Sequence, residues 1–385
     1  MTKNSLSISI SLIINLMATT RVEDPRENLK DLGGGIIKQL QKIQNPDIQL
    51  PVRSLSNIFF DDKTKLITLG DKVSHRTYLN VAHTRKFMQT LMVAAECKKL
   101  LEQKQHTTTS IRDLYYIMKR TLPGTEENTF EEQEESDPLL EDIEVAMNTL
   151  RENLHLHADQ KGSLAGPLIV REPTFNTESD CAKSGASGYG VPSICEPDTV
   201  ELVSTDADFV LVIEKQAVWN RLNEDRFWKK HNCLILTGKG QPDRGTRRMI
   251  NRLHKELKLP VYVVTDADAW GYYIYSVIKQ GSINLSFVSD RLGTPDAKFI
   301  GLTTQDVVQF NIPKNVTIKL NEGDKKRIQE LLNYMWFKPK EWQHELKNML
   351  QVGYKLELES LSNKDIRFIT EKYLPEKISK KDFLP

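Results

Sequence analysis

The chain is short of several things, and each shortage removes a class of function. Only four cysteines occur in 385 residues, Cys97, Cys181, Cys195 and Cys233, and no two form a C-x-x-C pair. Neither a zinc ribbon nor a disulfide framework is indicated, and a reducing cytoplasm suits the chain best. No apolar run approaches the ~20 residues that a membrane span needs, so no membrane partner is expected. No G-x-x-x-x-G-K-[ST] occurs, so the chain carries no phosphate loop of its own. Gly238-Lys239-Gly240 is too short to replace one, Gly185 to Gly190 is spaced wrongly for a dinucleotide fingerprint, and Ser187 lacks a G-x-S-x-G frame. The eight histidines are scattered; His155 and His157 are close in sequence but have no further ligand near them. Net charge is nearly absent too, since 53 Lys and Arg against 52 Asp and Glu leave +1. Taken whole, that balance argues against a nucleic-acid binder.

The balance hides segregation. Residues 124 to 144 hold ten acidic side chains and no Lys or Arg, so the rest of the chain carries +11. Residues 226 to 258 hold ten basic side chains against Asp243 and Glu256, and residues 71 to 120 hold ten against four. Two basic regions of this strength mean that the +1 total does not exclude a nucleic-acid partner.

A hydrophobic share of 39% and a charged share of 27% describe a globular chain, and 385 residues suit two domains. Residues 1–65 read as an N-terminal arm or partner-docking segment, punctuated by Pro25, Pro46 and Pro51 and by Gly33-Gly34-Gly35. Within it Leu6 to Met17 is apolar and serine-rich behind Lys3, a weak signal-peptide pattern that equally suits a short strand or a docking arm. Met17 is an alternative start. Residues 66–123 are mostly helical after a strand-like stretch from Lys65 to Leu69, and 124–150 read as a solvated acidic linker. In 151–385, residues 162 to 198 read as Gly/Ser/Pro-rich loops. Short apolar runs then alternate with helical stretches: Phe209 to Ile213, Cys233 to Leu236, Val261 to Val264, and a strand near Ile283 to Phe287. Helices are expected from Lys215 to about Lys230, from about Asp243 to Leu257, and from Trp270. That alternation implies a parallel sheet covered on both faces, with a helical, charged C-terminal extension.

Ligands of open parallel sheets gather at the carboxyl ends of the strands. Two of these strands end in acids, Glu214 after one, Asp266 and Asp268 after another. Three carboxylates at one sheet edge repel one another unless a hard cation lies between them, and magnesium, with its oxygen ligands, suits them. Singly, a strand-end acid serves equally well as a helix cap, as Asp268 ahead of Trp270 illustrates.

Ahead of the acidic segment lies a helix–turn–helix pattern. One helix runs from about Thr84 to Gln103, with Met88, Leu91, Met92 and Ala95 on one face; after a turn from His106, Thr109 or Ser110 caps the second. On the second, Ile111, Leu114, Tyr115, Met118 and Leu122 form a buried stripe. Tyr116 lies off that stripe between Arg112 at i−4 and Arg120 at i+4. A phenol flanked by guanidinium groups suits a phosphate contact or attack on one; an exposed tyrosine between solvated arginines is the plainer alternative.

The segment Ile111-Arg112-Asp113-Leu114-Tyr115-Tyr116 resembles the catalytic-tyrosine motif of the type IIB DNA topoisomerase family, shared with the meiotic double-strand-break transesterase. Further blocks resemble the family in order. They are Arg53-Ser54-Leu55-Ser56-Asn57, Leu69-Gly70-Asp71-Lys72 and Glu132-Gln133-Glu134-Glu135-Ser136-Asp137, followed by Lys239-Gly240-Gln241-Pro242, Thr246-Arg247-Arg248 and Thr265-Asp266-Ala267-Asp268. Gly281-Ser282-Ile283-Asn284-Leu285 and Thr294-Pro295-Asp296-Ala297-Lys298 complete the series. The similarity runs from about residue 50 to the C-terminus.

The resemblance implies a mixed α/β chain in which a winged-helix (CAP-like) domain precedes a Rossmann-like toprim domain. It implies Tyr116 as nucleophile, Arg112 as its support, Glu214, Asp266 and Asp268 as magnesium ligands, and Arg120, Lys239, Arg244, Arg247 and Arg248 as DNA contacts. Ala267 and Ala269 depart from the Gly and Pro that many members carry around the second aspartate. The implied reaction is transesterification to a 5′-phosphotyrosyl double-strand break, then resealing after strand passage. The implied assembly is a homodimer joined by an ATPase B subunit, forming an A2B2 heterotetramer in which ATP belongs to the partner, working in the cytoplasm at the nucleoid. Two alternatives stay open, a toprim nuclease that uses metal-activated water and a noncatalytic DNA-binding component of a recombination complex.

Overall fold

The computed structural model describes residues 24–103 and 108–385, so the readings made on Leu6 to Met17 and on the turn at His106 lie outside the described residues. The chain divides into two compact units, one of residues up to Val52 with Lys72–Ala158, the other of Arg53–Asp71 with Asp159–Pro385. Boundaries expected at 65/66 and 150/151 therefore fall elsewhere. Residues 53–71 contain an antiparallel hairpin, Ile58–Asp61 with Leu66–Leu69, whose Ile67 is buried in the core of the second unit. An apolar hairpin goes where its buried face is covered, whatever its neighbours in sequence.

In the first unit, helix Pro25–Gln41 starts at an Asp24 cap, and Gly33-Gly34-Gly35 lies inside it rather than breaking it. A Cβ added at any of the three would meet no atom outside the helix's own backbone within 4 Å, so no close approach requires glycine there. Strands Asp47–Pro51 and Val73–Thr77 pair antiparallel. Helix Val81–Glu102 buries Phe87, Val93, Ala94, Cys97 and Leu100, and leaves Ala95 exposed, so its core face is rotated from the one expected. The helix Ile111–Met118 is capped by the Ser110 hydroxyl, which accepts from the Asp113 amide at 2.9 Å. It ends before Leu122 and buries Leu114, Tyr115 and Met118.

The acidic segment is not a linker. It forms helix Gln133–Ala146, which buries Leu139, Leu140 and Ile143 in the same core as the Tyr115 helix. Its charges are answered by the basic helix and strand beside it. Gln89 donates to Glu135 at 2.9 Å, Arg85 lies 3.7 Å from the same carboxylate, and Arg76 pairs with the buried Asp142. Charge counting registered the acids; the apolar stripe between them decides the packing.

The second unit is built on a six-stranded sheet in the order Tyr189–Gly190, Ser163–Ala165, Cys233–Thr237, Phe209–Ile213, Val261–Val264, Lys298–Phe299. The last four run parallel and the first two add antiparallel at one edge. Every residue of Phe209–Ile213 and Cys233–Thr237 is buried, as central parallel strands covered by helices require. The expected strand at Ile283 to Phe287 is instead a 3₁₀ turn, Ser286–Val288, and the edge strand is the two-residue Lys298–Phe299. Part of the region expected as loops is regular: Glu201–Thr205, Leu168–Glu172 and Thr177–Asp180 make a three-stranded antiparallel sheet. The C-terminal extension supplies helices Glu322–Asn333, Lys340–Val352 and Leu374–Lys380, and its Trp342 closes an aromatic cluster with Tyr272, Tyr275, Phe299 and Phe337. Among the described residues, no helix is long and apolar enough to cross a membrane.

Candidate active site

Strand Phe209–Ile213 is flanked in the sheet by Cys233–Thr237 on one side and Val261–Val264 on the other. The strand order reverses there, and a crevice opens beyond the carboxyl ends at such a switch point. Glu214 leaves the first strand and Asp266 and Asp268 leave the third, so all three expected ligands lie at this point of the fold. The junction is held by backbone: the Glu214 amide donates to the Val264 carbonyl at 3.0 Å and the Gly240 amide to the Glu214 carbonyl at 2.8 Å.

Each carboxylate is engaged. Glu214 Oε2 accepts from the Asp266 amide at 3.3 Å, and Asp268 Oδ1 accepts from the Gly271 amide at 2.6 Å as the cap of helix Ala269–Gln280. Asp266 Oδ1 accepts from the Leu358 amide at 2.8 Å while its Oδ2 lies 2.9 Å from Lys215 Nζ. A Cβ at Gly271 would stand 2.6 Å from the Asp266 carbonyl oxygen, so only glycine lets the helix begin this close to the acids.

Burial, with the neighbouring Asp266 carboxylate, pushes the Glu214 carboxyl up to about 7. Burial also pushes Asp266 up to about 6, against the opposing pull of Lys215 and the Leu358 amide, and it raises Asp268. Lys215 is itself held above the usual lysine range, its partial burial being outweighed by bonds to Glu359 and Asp266. Buried oxygen donors that resist ionising side by side are what a hard divalent cation relieves, so the donor chemistry fits magnesium. Among the described residues, no three His, Cys, Asp or Glu side chains are placed closely enough to hold a metal ion as they stand.

In the first unit, Tyr115 is buried and donates its hydroxyl to the Glu131 carbonyl at 2.7 Å; Lys119 Nζ donates to both, at 2.9 and 2.8 Å. Tyr116 is 60% exposed, its ring 5.0 Å from that of Tyr115. Arg112 is exposed on the same helix, and Arg120 is exposed with its guanidinium 3.5 Å from Glu96.

The expected DNA contacts divide. Lys239 is exposed at the rim of an open cleft of about 560 Å³, lined also by Lys161, Ser187, Gln216 and Asn220. Arg244 and Arg247 are buried, and Arg248 pairs with Glu196 at 2.9 Å, a carboxylate that also binds Arg291 at 2.6 Å. Arg244 and Arg247 sit in the interior of the fold, and Arg248 is half-buried with its charge answered by Glu196. The basic count over 226–258 overstated the free charge because it could not see Glu196. Sequence reasoning also passed over Lys215, whose place directly after Glu214 was its one signal, and over Glu357 and Glu359, which had none.

Comparison with known proteins finds relatives along most of the chain. Residues 209–378 match the family described as the Toprim domain of the topoisomerase 6 A subunit and Spo11. Residues 85–156 match the family described as Type IIB DNA topoisomerase, and 160–206 an all-beta domain in the alpha subunit of DNA topoisomerase VI. The chain is 44% identical over 375 residues to the A subunit of the type 2 DNA topoisomerase 6 of Pyrococcus abyssi, covering 94% of this chain and 96% of the relative. The protein of the same name from Saccharolobus shibatae is 40% identical over 92% of this chain and 95% of the relative, and that of Methanocaldococcus jannaschii 39% over 92% and 95%. With the family's blocks matched in order and near-complete coverage of these relatives, the chain belongs to the family of topoisomerase VI A subunits and Spo11.

Proposed function

We propose that this DNA topoisomerase chain cuts DNA by transesterification, with Tyr116 as nucleophile and Glu214, Asp266 and Asp268 as the ligands of magnesium. The observation that carries the reading is the placement of three carboxylates, Asp266 buried and Glu214 and Asp268 half-buried, at the switch point of the sheet, where burial and neighbouring carboxylate charge hold Glu214 and Asp266 above their ordinary range. The exposed phenol on the Ile111–Met118 helix supplies the group that attacks. Its oxygen forms a bond to phosphorus as the bond from phosphorus to the 3′-oxygen breaks; the phenol gives up its proton and the 3′-oxygen takes one, leaving a 5′-phosphotyrosyl link and a free 3′-hydroxyl. Reversal reseals the strand, and the covalent link conserves the bond energy, so cutting itself consumes no ATP. A bound magnesium would supply charge stabilisation at the scissile phosphate and the leaving oxygen. Arg112 on the tyrosine helix and Arg120 just past its end brace the phosphate, and the helix belongs to a winged-helix domain in this reading.

Double-stranded DNA is the substrate, and cutting both strands with a stagger requires two copies of the chain. ATP would be bound by a B subunit in an A2B2 assembly, as the absence of a phosphate loop here suits. The test uses supercoiled DNA, magnesium and ATP, with and without the B partner, and measures relaxation and covalently attached protein. Glu214→Ala and Asp266→Ala are each expected to lower magnesium-dependent relaxation by about 10²-fold or more. Unchanged relaxation by both variants would favour a noncatalytic role and remove the metal assignment.

Lys239 leads the DNA contacts in this reading, because it is exposed where Arg244 and Arg247 are buried and Arg248 is paired with Glu196. Lys239→Ala is expected to weaken binding to duplexes of any sequence alike and to reduce the salt slope of log K by about 1. A slope equal to that of the unmodified chain, measured by fluorescence anisotropy, would take Lys239 off the phosphate path.

A further inference from the structure

Lys215 is the one member of the carboxylate cluster that the proposed reaction leaves without a task, and it is the most heavily engaged side chain there. Its Nζ lies 2.9 Å from Asp266 Oδ2, 2.6 Å from Glu359 Oε2 and 3.3 Å from Glu357 Oε2. The two glutamates come from the C-terminal extension, and they are placed by backbone. Ala267 and Leu356 exchange hydrogen bonds of 2.9 and 3.1 Å, and the Leu358 amide donates to Asp266 Oδ1 at 2.8 Å. A strap from Leu356 to Glu359 is thereby tied across the Asp266–Asp268 loop, with its two acids turned to the lysine. The backbone of Lys215 is placed between Glu214 at the end of a central strand and the helix Gln216–Glu224.

The charges around the lysine are lopsided. Asp266, Glu357 and Glu359 pair with it, Glu214 lies within its electrostatic reach, and Asp268 stands on the same loop as Asp266. A further ammonium near the loop, that of Lys355, is paired with Asp324 at 2.9 Å. Of the two Asp266 oxygens, Oδ1 accepts from the Leu358 amide and Oδ2 is the one that Lys215 neutralises.

We propose that Lys215 is the built-in counter-ion of the magnesium site, a positioning residue that competes with the metal for Asp266 and so sets how much magnesium the site needs. The inference rests on the assignment of Glu214, Asp266 and Asp268 as metal ligands. A cation arriving at Asp266 must displace the ammonium or share its carboxylate, and Glu357 and Glu359 keep the displaced ammonium close at hand. Removing the ammonium leaves Asp266, Glu357 and Glu359 without the cation that bridges them, which weakens the fold when no metal is present and strengthens attraction for one when it is.

The experiment titrates magnesium alone into the full chain, without DNA or any partner protein, and follows the thermal midpoint by tryptophan fluorescence. All five tryptophans, Trp219, Trp228, Trp270, Trp336 and Trp342, belong to the unit that holds the site. Lys215→Met is expected to start from a lower midpoint and to reach half of its magnesium-induced rise at about tenfold lower magnesium. Lys215→Arg, which keeps the charge, is expected to stay near the unmodified chain. A magnesium response in the unmodified chain with the same or a higher half-point in Lys215→Met overturns the counter-ion role alone. No response in the unmodified chain overturns the ligand assignment and this inference with it.

Discussion

Tyr116→Phe is expected to abolish both the trapped covalent adduct and cleavage, a loss of about 10⁴-fold or more, while leaving folding and DNA affinity in place. The loss follows from the reaction: without the phenolic oxygen there is no atom to bond to phosphorus. The harmlessness follows from the structure. Tyr116 is 60% exposed, no hydrogen bond joins its hydroxyl to a described residue, and its ring contact with Tyr115 survives the change to phenylalanine. An exposed hydroxyl of this kind is worth under about 0.5 kcal/mol to stability. Tyr115→Phe is the matching control, because it removes the hydroxyl that donates to Glu131 and accepts from Lys119 yet leaves Tyr116 intact. If Tyr116→Phe still cuts supercoiled DNA in magnesium without attached protein, the reaction uses metal-activated water and the chain works as a nuclease.

What the sequence made visible followed from a few physical regularities. The strands Phe209–Ile213, Cys233–Thr237 and Val261–Val264 could be read because buried parallel strands are continuous apolar runs, and the acids at their ends then marked the site. Lys298–Phe299 could not, since two residues carry no periodicity, and an apolar stretch nearby at Ile283 to Phe287 drew the strand assignment to itself. The strands between 163 and 205 are two to five residues long and set among Gly, Ser and Pro, so turn residues outweighed them. The acidic helix was hidden by its charge count. At the site, ligand types were legible because they lie at strand ends. Their neighbours Glu357 and Glu359 were not, because a strap brought from the C-terminal extension has no local signature. Burial accounts for the arginines: Arg244 and Arg247 look like free basic charge in a composition window, and only packing removes them from the surface.

The C-terminal extension holds the second large effect. Lys377 and Asp306 form an ion pair at 3.1 Å in which the side chains are 3% and 1% exposed. Asp306 also accepts from the Thr303 amide at 2.8 Å and the Tyr373 hydroxyl at 2.9 Å, and Lys377 reaches Asp382 at 3.0 Å. The pair joins helix Leu374–Lys380 to the short helix Asp306–Gln309, beside the Gly301 carbonyl that Tyr373 also binds at 3.0 Å. Lys377→Met removes the cation and leaves a carboxylate enclosed with hydrogen bonds but no opposite charge within its shell, at a cost of about 3–5 kcal/mol. For a unit of this size that corresponds to a fall of about 6–20 °C in the tryptophan-reported midpoint. Asp306→Asn combined with Lys377→Met is expected to recover much of the loss, because the stranded charge is gone and the side chain keeps its place near Thr303 and Tyr373. Equal losses in the single and double variants would mean that Lys377 stabilises by packing on the Tyr373 ring, 5.7 Å away, and not by neutralising Asp306.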